Sequence, residues 1–222
     1  MKAALLPLII LLLLSAACHK NEKPAIPENH YGEIFSVSFM LDNTQVGKAY
    51  SADKINSIQG YTDDQGNGNY YFGGGPAYAL DNQGLLQIQL GSAYGPVTTK
   101  WDSAFASFVQ LCAPGSKIYD VIKWVGQRQM NRVELTYKDP AGDLWSTTKI
   151  DATVNPPKLA SPPAQQNGSS FIITYEKQVS LDNTKNNAVI IKGTFNCILY
   201  KYNTYEQKQI TKGTFTGIFA VI

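Results

Sequence analysis

Apolar and polar residues alternate with a period of two in several segments of this 222-residue chain. Successive side chains of a β-strand point to opposite faces of a sheet, so this alternation is typical of strands with one buried face. The segments are Phe35 to Leu41, Leu86 to Leu90, Val133 to Tyr137 and Phe171 to Tyr175. We expect an all-β fold, an antiparallel β-sandwich of about eight to ten strands with one short helix.

Two β-hairpins are predicted from turn residues and from a short internal repeat. Asp139 to Gly142 separates Val133 to Tyr137 from Leu144 to Thr148, which is typical of a hairpin with a short loop. Lys-Gly-Thr-Phe occurs at residues 192–195 and again at residues 212–215. Both copies lie in β-like runs, so we expect a long closing hairpin at the end of the chain.

One segment has helical rather than β periodicity. Trp101, Phe105, Phe108 and Leu111 recur at helical spacing, and Ala113-Pro114-Gly115 follows them. This pattern predicts the single short helix, with its aromatic side packed against the sheet.

Residues 1–17 have the form of a lipoprotein signal peptide. Lys2 precedes an apolar run of 15 residues, Ala3 to Ala17, whereas a membrane-spanning helix needs roughly 20. The small residues directly before Cys18 resemble the lipobox of bacterial lipoproteins, although ordinary secretory cleavage also uses small residues. We expect Cys18 to carry lipid and to attach the protein to a membrane through its new N-terminus.

The remainder divides into a tether and one domain. Residues 18–32 include charges and prolines without an apolar period, so they are predicted to form a flexible tether. Residues 33–222 are predicted to form a single β-sandwich domain, and the proline-rich stretch Val154 to Ser169 is predicted to be a loop inside it. No aspartate follows Cys18, so we expect the outer membrane, with the domain facing either the periplasm or the cell exterior.

Charge and histidine content limit the possible functions. Without residues 1–17, which contain Lys2, the chain has 18 Lys and Arg against 17 Asp and Glu, which argues against a nucleic-acid partner. The two histidines, His19 and His30, lie in or beside the tether. A domain without histidine excludes Ser-His-Asp and Cys-His catalysis and histidine-based zinc sites. We therefore expect no enzyme activity, no cofactor and no metal.

Acidic residues leave one less favoured catalytic alternative. A glycoside hydrolase needs only a pair of carboxylates. The acids of this chain lie instead in turn-like sequence, where Asp caps backbone groups. They include Asp63, Asp64, Asp139, Asp143 and Asp182. Asp63, Asp64, Asn67 and Asn69 also lack the spacing of a calcium loop.

Cys112 and Cys197 remain after Cys18 is assigned to lipid. An oxidising envelope compartment permits a disulfide between them. Two buried free thiols are the equal alternative, because Cys is among the most buried residue types.

Aromatic residues beside turns are the candidate ligand contacts. Tyr70, Tyr71 and Phe72 lie within the Gly- and Asn-rich stretch Tyr61 to Pro76, which is predicted to be a long turn or flap. Tyr202 and Tyr205 lie at the predicted tip of the closing hairpin. An exposed aromatic ring can stack on a sugar, but aromatic residues also fill sheets, so both interpretations stay open.

The order of several short motifs resembles that of a group of uncharacterised β-rich lipoproteins from Bacteroidota. The resemblance covers most of residues 33–222, and its motifs are FVQLCAPG from Phe108, VELTYKD from Val133, Trp145-Ser146-Thr147, SFIIT from Ser170 and the two Gly-Thr-Phe sequences. It implies a β-sandwich-like surface or periplasmic domain of unknown function and supplies no catalytic residues.

Together these patterns predict a lipid-anchored protein of the cell envelope. Its expected role is that of a non-catalytic binding module for a glycan or a small ligand. The alternative is a structural or protein-partner component of an envelope assembly.

Overall fold

The computed structural model describes residues 32–50, 58–61, 69–96, 101–119, 132–151, 158–159, 166–180, 188–202, 204 and 206–220. The predicted signal peptide, Cys18 and all of the predicted tether except Gly32 lie outside these residues. No helix in the described ranges is long and apolar enough to cross a membrane.

The fold is all-β with one short helix, as the alternation predicted. The strands in the described part of the chain are β1 (Phe35–Leu41), β2 (Thr44–Tyr50), β3 (Ile58–Tyr61), β4 (Asn69–Ala79), β5 (Leu85–Pro96), β6 (Gly115–Tyr119), β7 (Arg132–Lys138), β8 (Leu144–Ser146), β9 (Ile150–Asp151), β10 (Lys158–Leu159), β11 (Ser170–Val179), β12 (Ala188–Lys201) and β13 (Gln207–Ala220). The helix α1 spans Trp101–Cys112, where the aromatic spacing predicted it, and Phe105, Phe108 and Leu111 are buried.

Eleven strands form one sheet in the order β2-β1-β13-β12-β11-β6-β7-β5-β4-β3, with β8 paired to both β12 and β7. The prediction of a purely antiparallel arrangement is wrong at one place, because β6 and β7 are parallel, with Ile118 opposite Arg132. Parallel neighbours need a connection of about a dozen residues. Residues 120–131 give β6 and β7 that length, which alternation alone does not reveal.

The sheet folds over so that β4 packs against β13. The hydroxyl of Tyr78 donates a hydrogen bond to the carbonyl of Thr216 at 3.1 Å. A Cβ on Gly75 would lie 2.8 Å from the ring of Phe219, and one on Gly217 would lie 2.6 Å from Pro76. The two halves of a single sheet therefore enclose the main core, which includes Phe39, Leu86, Ile88, Leu90, Phe171, Phe195, Phe215 and Phe219.

Both predicted hairpins are present. Tyr137 lies opposite Trp145 in the β7–β8 pair, and the turn between them contains Asp139. The closing hairpin pairs β12 with β13 from Tyr200 opposite Gln207 to Ala188 opposite Ala220. Since β8 joins the ends of β7 and β12, the strands β12, β11, β6, β7 and β8 form a closed circuit of hydrogen-bonded neighbours.

Candidate ligand-binding surfaces

The aromatic part of the predicted flap is a strand, while residues 62–68 of the flap lie outside the described residues. Tyr70, Tyr71 and Phe72 belong to β4, where Tyr71 lies opposite Ala93 of β5. The glycine that follows is required by packing, because a Cβ on Gly75 would lie 1.8 Å from the carbonyl oxygen of Ile88. Gly75, one of the glycines that suggested a loop, therefore allows close approach within the sheet. The structure does not describe the orientations of these three aromatic side chains.

Tyr202 is half-buried rather than exposed at a hairpin tip. Its backbone N–H donates to the carbonyl of Leu144 at 3.0 Å, which ties the end of β12 to β8. Burial, and then the charge of Glu134, raise the pKa of the Tyr202 hydroxyl, so this side chain faces an acidic group of β7. Tyr205 lies outside the described residues.

Glu134 anchors a buried polar network beside Tyr202. Only 8% of Glu134 is exposed, and Oε1 accepts a hydrogen bond from Ser146 Oγ at 3.1 Å. Ser146 Oγ in turn accepts from the backbone N–H of Thr148 at 3.0 Å. A buried carboxylate is costly unless hydrogen-bonded. This network joins the bend after β8 to β7.

Gln166 connects the same bend to β12. Its Nε2 donates to the carbonyls of Thr147 at 2.8 Å and Ile198 at 2.7 Å. Its Oε1 accepts from the N–H of Ile198 at 2.9 Å and from the hydroxyl of Ser169 at 2.8 Å. One amide side chain thus takes the place of a neighbouring strand residue and satisfies both backbone groups of Ile198.

Asp139 organises the β7–β8 turn, as expected for an acid in turn-like sequence. Its Oδ1 accepts from the N–H groups of Ala141 and Asp143, both at 3.0 Å, and its Oδ2 accepts from Trp145 Nε1 at 3.0 Å. Lys208 Nζ lies 3.4 Å from Oδ2 and 4.3 Å from the centre of the Trp145 ring. Trp145 is therefore held by its own neighbours and does not offer a free stacking surface.

Asp139 is an ionised carboxylate, and both of its oxygens accept hydrogen bonds. Burial alone would raise the pKa of Asp139, but hydrogen bonds from Trp145, Asp143 and Lys208 lower it overall. Lys201 pairs with Asp143 at 2.7 Å, and this hydrogen bond raises the pKa of Lys201. The lowered pKa of Asp139 does not suit a general acid at neutral pH.

Cys112 and Cys197 are free buried thiols, the second of the two alternatives that the sequence left open. Burial raises the pKa of both thiols well above the ordinary range, and for Cys112 the nearby charge of Lys117 opposes this only in part. A thiol rather than a thiolate is a poor nucleophile.

A different surface has the properties of a binding face. We define the outer face as the side of β1, β13, β12, β11 and β6 that is turned away from the main core. Three large side chains are exposed on it: Tyr175 at 37%, Ile172 at 37% and Ile118 at 60%. Thr194 of β12 and Thr214 of β13 are also exposed. They lie opposite each other, between β11 and β1.

Charge on the outer face near Tyr175 is compensated. Lys192 lies opposite Tyr175, with its ammonium 4.8 Å from the centre of the ring. The same ammonium lies 2.8 Å from Glu33 Oε2. The lysine therefore covers part of the ring as a cation–π partner while its charge is balanced.

Sequence patterns missed Tyr175 because of a β-bulge. Regular alternation from Phe171 through Ile173 places Tyr175 on the buried side. The register shifts between Ile173 and Tyr175, so the extra residue Thr174 moves Tyr175 to the outer face. The hydroxyl of Thr174 donates to the carbonyl of Lys192 at 3.2 Å, which holds the bulge.

Comparison of the chain with protein-family models, with curated proteins and with solved structures finds no match. Within the described residues, no group of three or more His, Cys, Asp or Glu is placed to hold a metal ion.

Proposed function

We propose that this protein is a lipid-anchored, non-catalytic module of the outer membrane that binds a glycan through the outer face. The observation that carries the proposal is Tyr175, exposed beside Ile172 on a sheet face where Thr194 and Thr214 are also exposed. Cys18 provides the membrane attachment, and residues 18–32 provide the tether.

The composition of this face suits a sugar ring. Pyranose rings have an apolar side formed by C–H groups and an edge of hydroxyls. Tyr175 and Ile172 supply apolar contacts, while Thr194 and Thr214 supply hydroxyls that both donate and accept hydrogen bonds. A small ligand would bind better in a concave pocket than on an open sheet, so an extended surface favours a larger glycan.

The absence of catalysis in this proposal is supported by the contacts of two of the described acids. Asp139 is occupied by the turn and by Trp145, and Glu134 is occupied by Ser146. A carboxylate pair needs one raised and one ordinary pKa across an open cleft. Asp139 has a lowered pKa instead.

A glycan array probed with the full-length lipoprotein in detergent tests the binding proposal. Tyr175→Ala is expected to lower binding to any array member by about tenfold, the effect of losing about 1.4 kcal/mol of stacking. Leu144→Ala is the matched control, because Leu144 is 47% exposed on β8, away from the outer face. Absence of binding by the wild type, or equal binding by Tyr175→Ala, would overturn the proposal.

Membrane attachment is tested separately with Cys18→Ser. The substituted chain lacks the acylated thiol and is expected to leave the membrane fraction, since one lipid-modified residue carries the attachment. Retention of the variant in the outer-membrane fraction would show that another segment anchors the protein.

A protein partner is the second candidate occupant of the outer face. Ile118 is 60% exposed on β6, which is paired with β11 beside Ile172. Adjacent exposed apolar residues are typical of protein contacts. A photo-crosslinking amino acid in place of Ile118 in intact cells tests this candidate: a discrete crosslinked protein supports it, and crosslinking to glycan alone rejects it.

A further inference from the structure

One end of the outer face is apolar. Alternation along β12 and β13 places Val189, Ile191 and Phe219 in the main core, so the residues next to them in sequence face outward. These outward residues pair across the ladder. With one residue of β11 they form what we call the outer cluster: Val179, Ala188, Ile190, Ile218 and Ala220. Phe35, at the start of β1, packs against this cluster.

The outer cluster is buried as completely as the main core. Ala188, Ile190 and Ala220 are 0% exposed, and Ile218 is 1% exposed. Outward side chains of a sheet do not bury one another to this extent, as the exposure of Tyr175 on the same face shows. Among the described elements, α1 and β4 with its neighbour β3 pack against these strands, and they belong to the core side. Burial of the outer cluster therefore requires a further segment of the chain.

The chain before β1 is directed onto the outer face. Glu33 precedes β1, yet its Oε2 lies 2.8 Å from Nζ of Lys192 on β12, with β13 between the two strands. Only 18% of the Glu33 side chain is exposed. Gly32 has a φ of 67°, a left-handed conformation typical of a turn. Since Lys192 is the next outward residue of β12 after Ile190, the ion pair brings the preceding chain to the border of the outer cluster.

The segment before Gly32 has a composition that suits an apolar face. We call residues 24–31 the strap. It contains Ile26, Tyr31 and two prolines. Prolines restrict the free chain, so less conformational entropy is lost when such a segment is fixed on a surface. Residues 181–187 and 221–222 adjoin the opposite end of the cluster, and their apolar residues are Leu181, Val221 and Ile222.

We propose that the strap folds back over the outer cluster and packs against it, with the Glu33–Lys192 ion pair fixing its start. This inference goes beyond glycan binding, because it concerns the tether and not the ligand. It leaves residues 18–23 as the free tether, which spans at most about 20 Å. With lipid on Cys18, the end of the outer face that carries the strap is held near the membrane, while Tyr175 remains exposed beside it.

Protection of a thiol in the outer cluster tests the inference. Ile218→Cys is made in the full-length lipoprotein, once with the natural strap and once with a Gly-Ser sequence of the same length in place of residues 24–31. The rate of reaction with a chromogenic disulfide reagent in detergent is measured for both. We expect the reaction to be slower by about tenfold or more with the natural strap, because the thiol is then reached only through local opening.

Two controls separate uncovering of the cluster from unfolding. Thr194→Cys is exposed on the same face and is expected to react at the same rate with either sequence. The chain with the Gly-Ser sequence and no added cysteine reports folding, since Cys112 and Cys197 are buried. If these two thiols become reactive, Ile26→Ser combined with Tyr31→Ser replaces the Gly-Ser sequence. Ala220→Cys is used if Ile218→Cys does not fold.

Equal protection of the added thiol with the natural strap and with its replacement would overturn the inference, because another segment, such as residues 181–187, then covers the cluster. Protection that falls on dilution would overturn it as well, since a second copy of the chain is then the cover. Neither result bears on glycan binding, which the array tests independently.

Discussion

Thr194 lies directly opposite Thr214 in the ladder between β12 and β13, and each is the third residue of a Lys-Gly-Thr-Phe sequence. The antiparallel pairing of the two copies places Gly193 opposite Phe215 and Phe195 opposite Gly213. Each phenylalanine ring therefore covers the glycine of the other copy on the core side, while the two threonines share the outer face. The repeat therefore contributes both to the packing of the core and to the polar groups of the outer face.

The glycines of the repeat are predicted to be intolerant of a methyl group. A Cβ on Gly193 would lie 2.5 Å from the carbonyl oxygen of Ile172 and 2.6 Å from the Phe215 ring. We expect Gly193→Ala to lower the free energy of unfolding by about 2–3 kcal/mol, in the upper part of the usual overpacking range. Urea unfolding followed by tryptophan fluorescence measures the loss.

Gly47→Ala is the control for this substitution. Gly47 is an exposed strand residue, and the nearest atom to an added Cβ is 3.2 Å away. Its loss is expected to be less than half that of Gly193→Ala. Equal losses would show that strand backbone effects, rather than contact with Phe215, account for the destabilisation.

Asp139 is predicted to make stability depend on pH under acidic conditions. Its pKa is lowered in the folded state, so its contribution is complete above the unfolded pKa of about 3.9 and is lost as the pH falls through the lower folded value. We expect Asp139→Asn to cost about 1–2 kcal/mol near neutral pH. The difference from the wild type should shrink below about pH 3.5.

Denaturant unfolding of both proteins across the acidic range checks this dependence. Asp143→Asn is the comparison, since Asp143 is more exposed than Asp139 and pairs with Lys201. A difference between wild type and Asp139→Asn that stays constant down to about pH 2.5 would contradict the assignment.

Gln166 is predicted to stabilise the contact between β12 and the bend after β8. Gln166→Leu keeps the approximate volume but leaves both backbone groups of Ile198 without that partner. The expected loss is about 2–4 kcal/mol, because buried backbone groups are costly when unpaired. Gln178→Leu, at an exposed position of β11, is expected to change stability by less than about 0.5 kcal/mol.

Thiol reactivity is predicted to be absent in the folded protein. Cys112 and Cys197 are buried and their pKa values are raised, so neither should react with a chromogenic disulfide reagent under native conditions. After denaturation without reductant, two thiols per chain are expected when Cys18 is acylated. No thiol would indicate a disulfide, and three would indicate an unmodified Cys18.

Much of the fold follows from local sequence patterns. The period-two segments predicted the strands β1, β5, β7 and β11, and the aromatic spacing predicted α1. The parallel contact between β6 and β7 did not follow, because pairing partners are chosen by long-range packing rather than by alternation. The prediction also differed from the structure around Gly75. This glycine allows close packing within the sheet, but in the sequence it was interpreted as part of a loop.

The candidate binding face was harder to predict than the fold. Exposed aromatic residues were expected at turns, yet Tyr202 is half-buried and Tyr70 belongs to a strand. Tyr175 reached the outer face through a one-residue bulge that no local pattern marks.

Methyl NMR of the full-length lipoprotein during titration with a glycan identified on the array tests the outer face most directly. Isoleucine and leucine methyl groups report on Ile172 and Ile118 of the outer face and on Leu144 as an exposed reference on β8. We predict that the Ile172 and Ile118 signals shift in a saturable manner while Leu144 does not. Shifts confined to other residues, or no shift at saturating glycan, would contradict binding at this face.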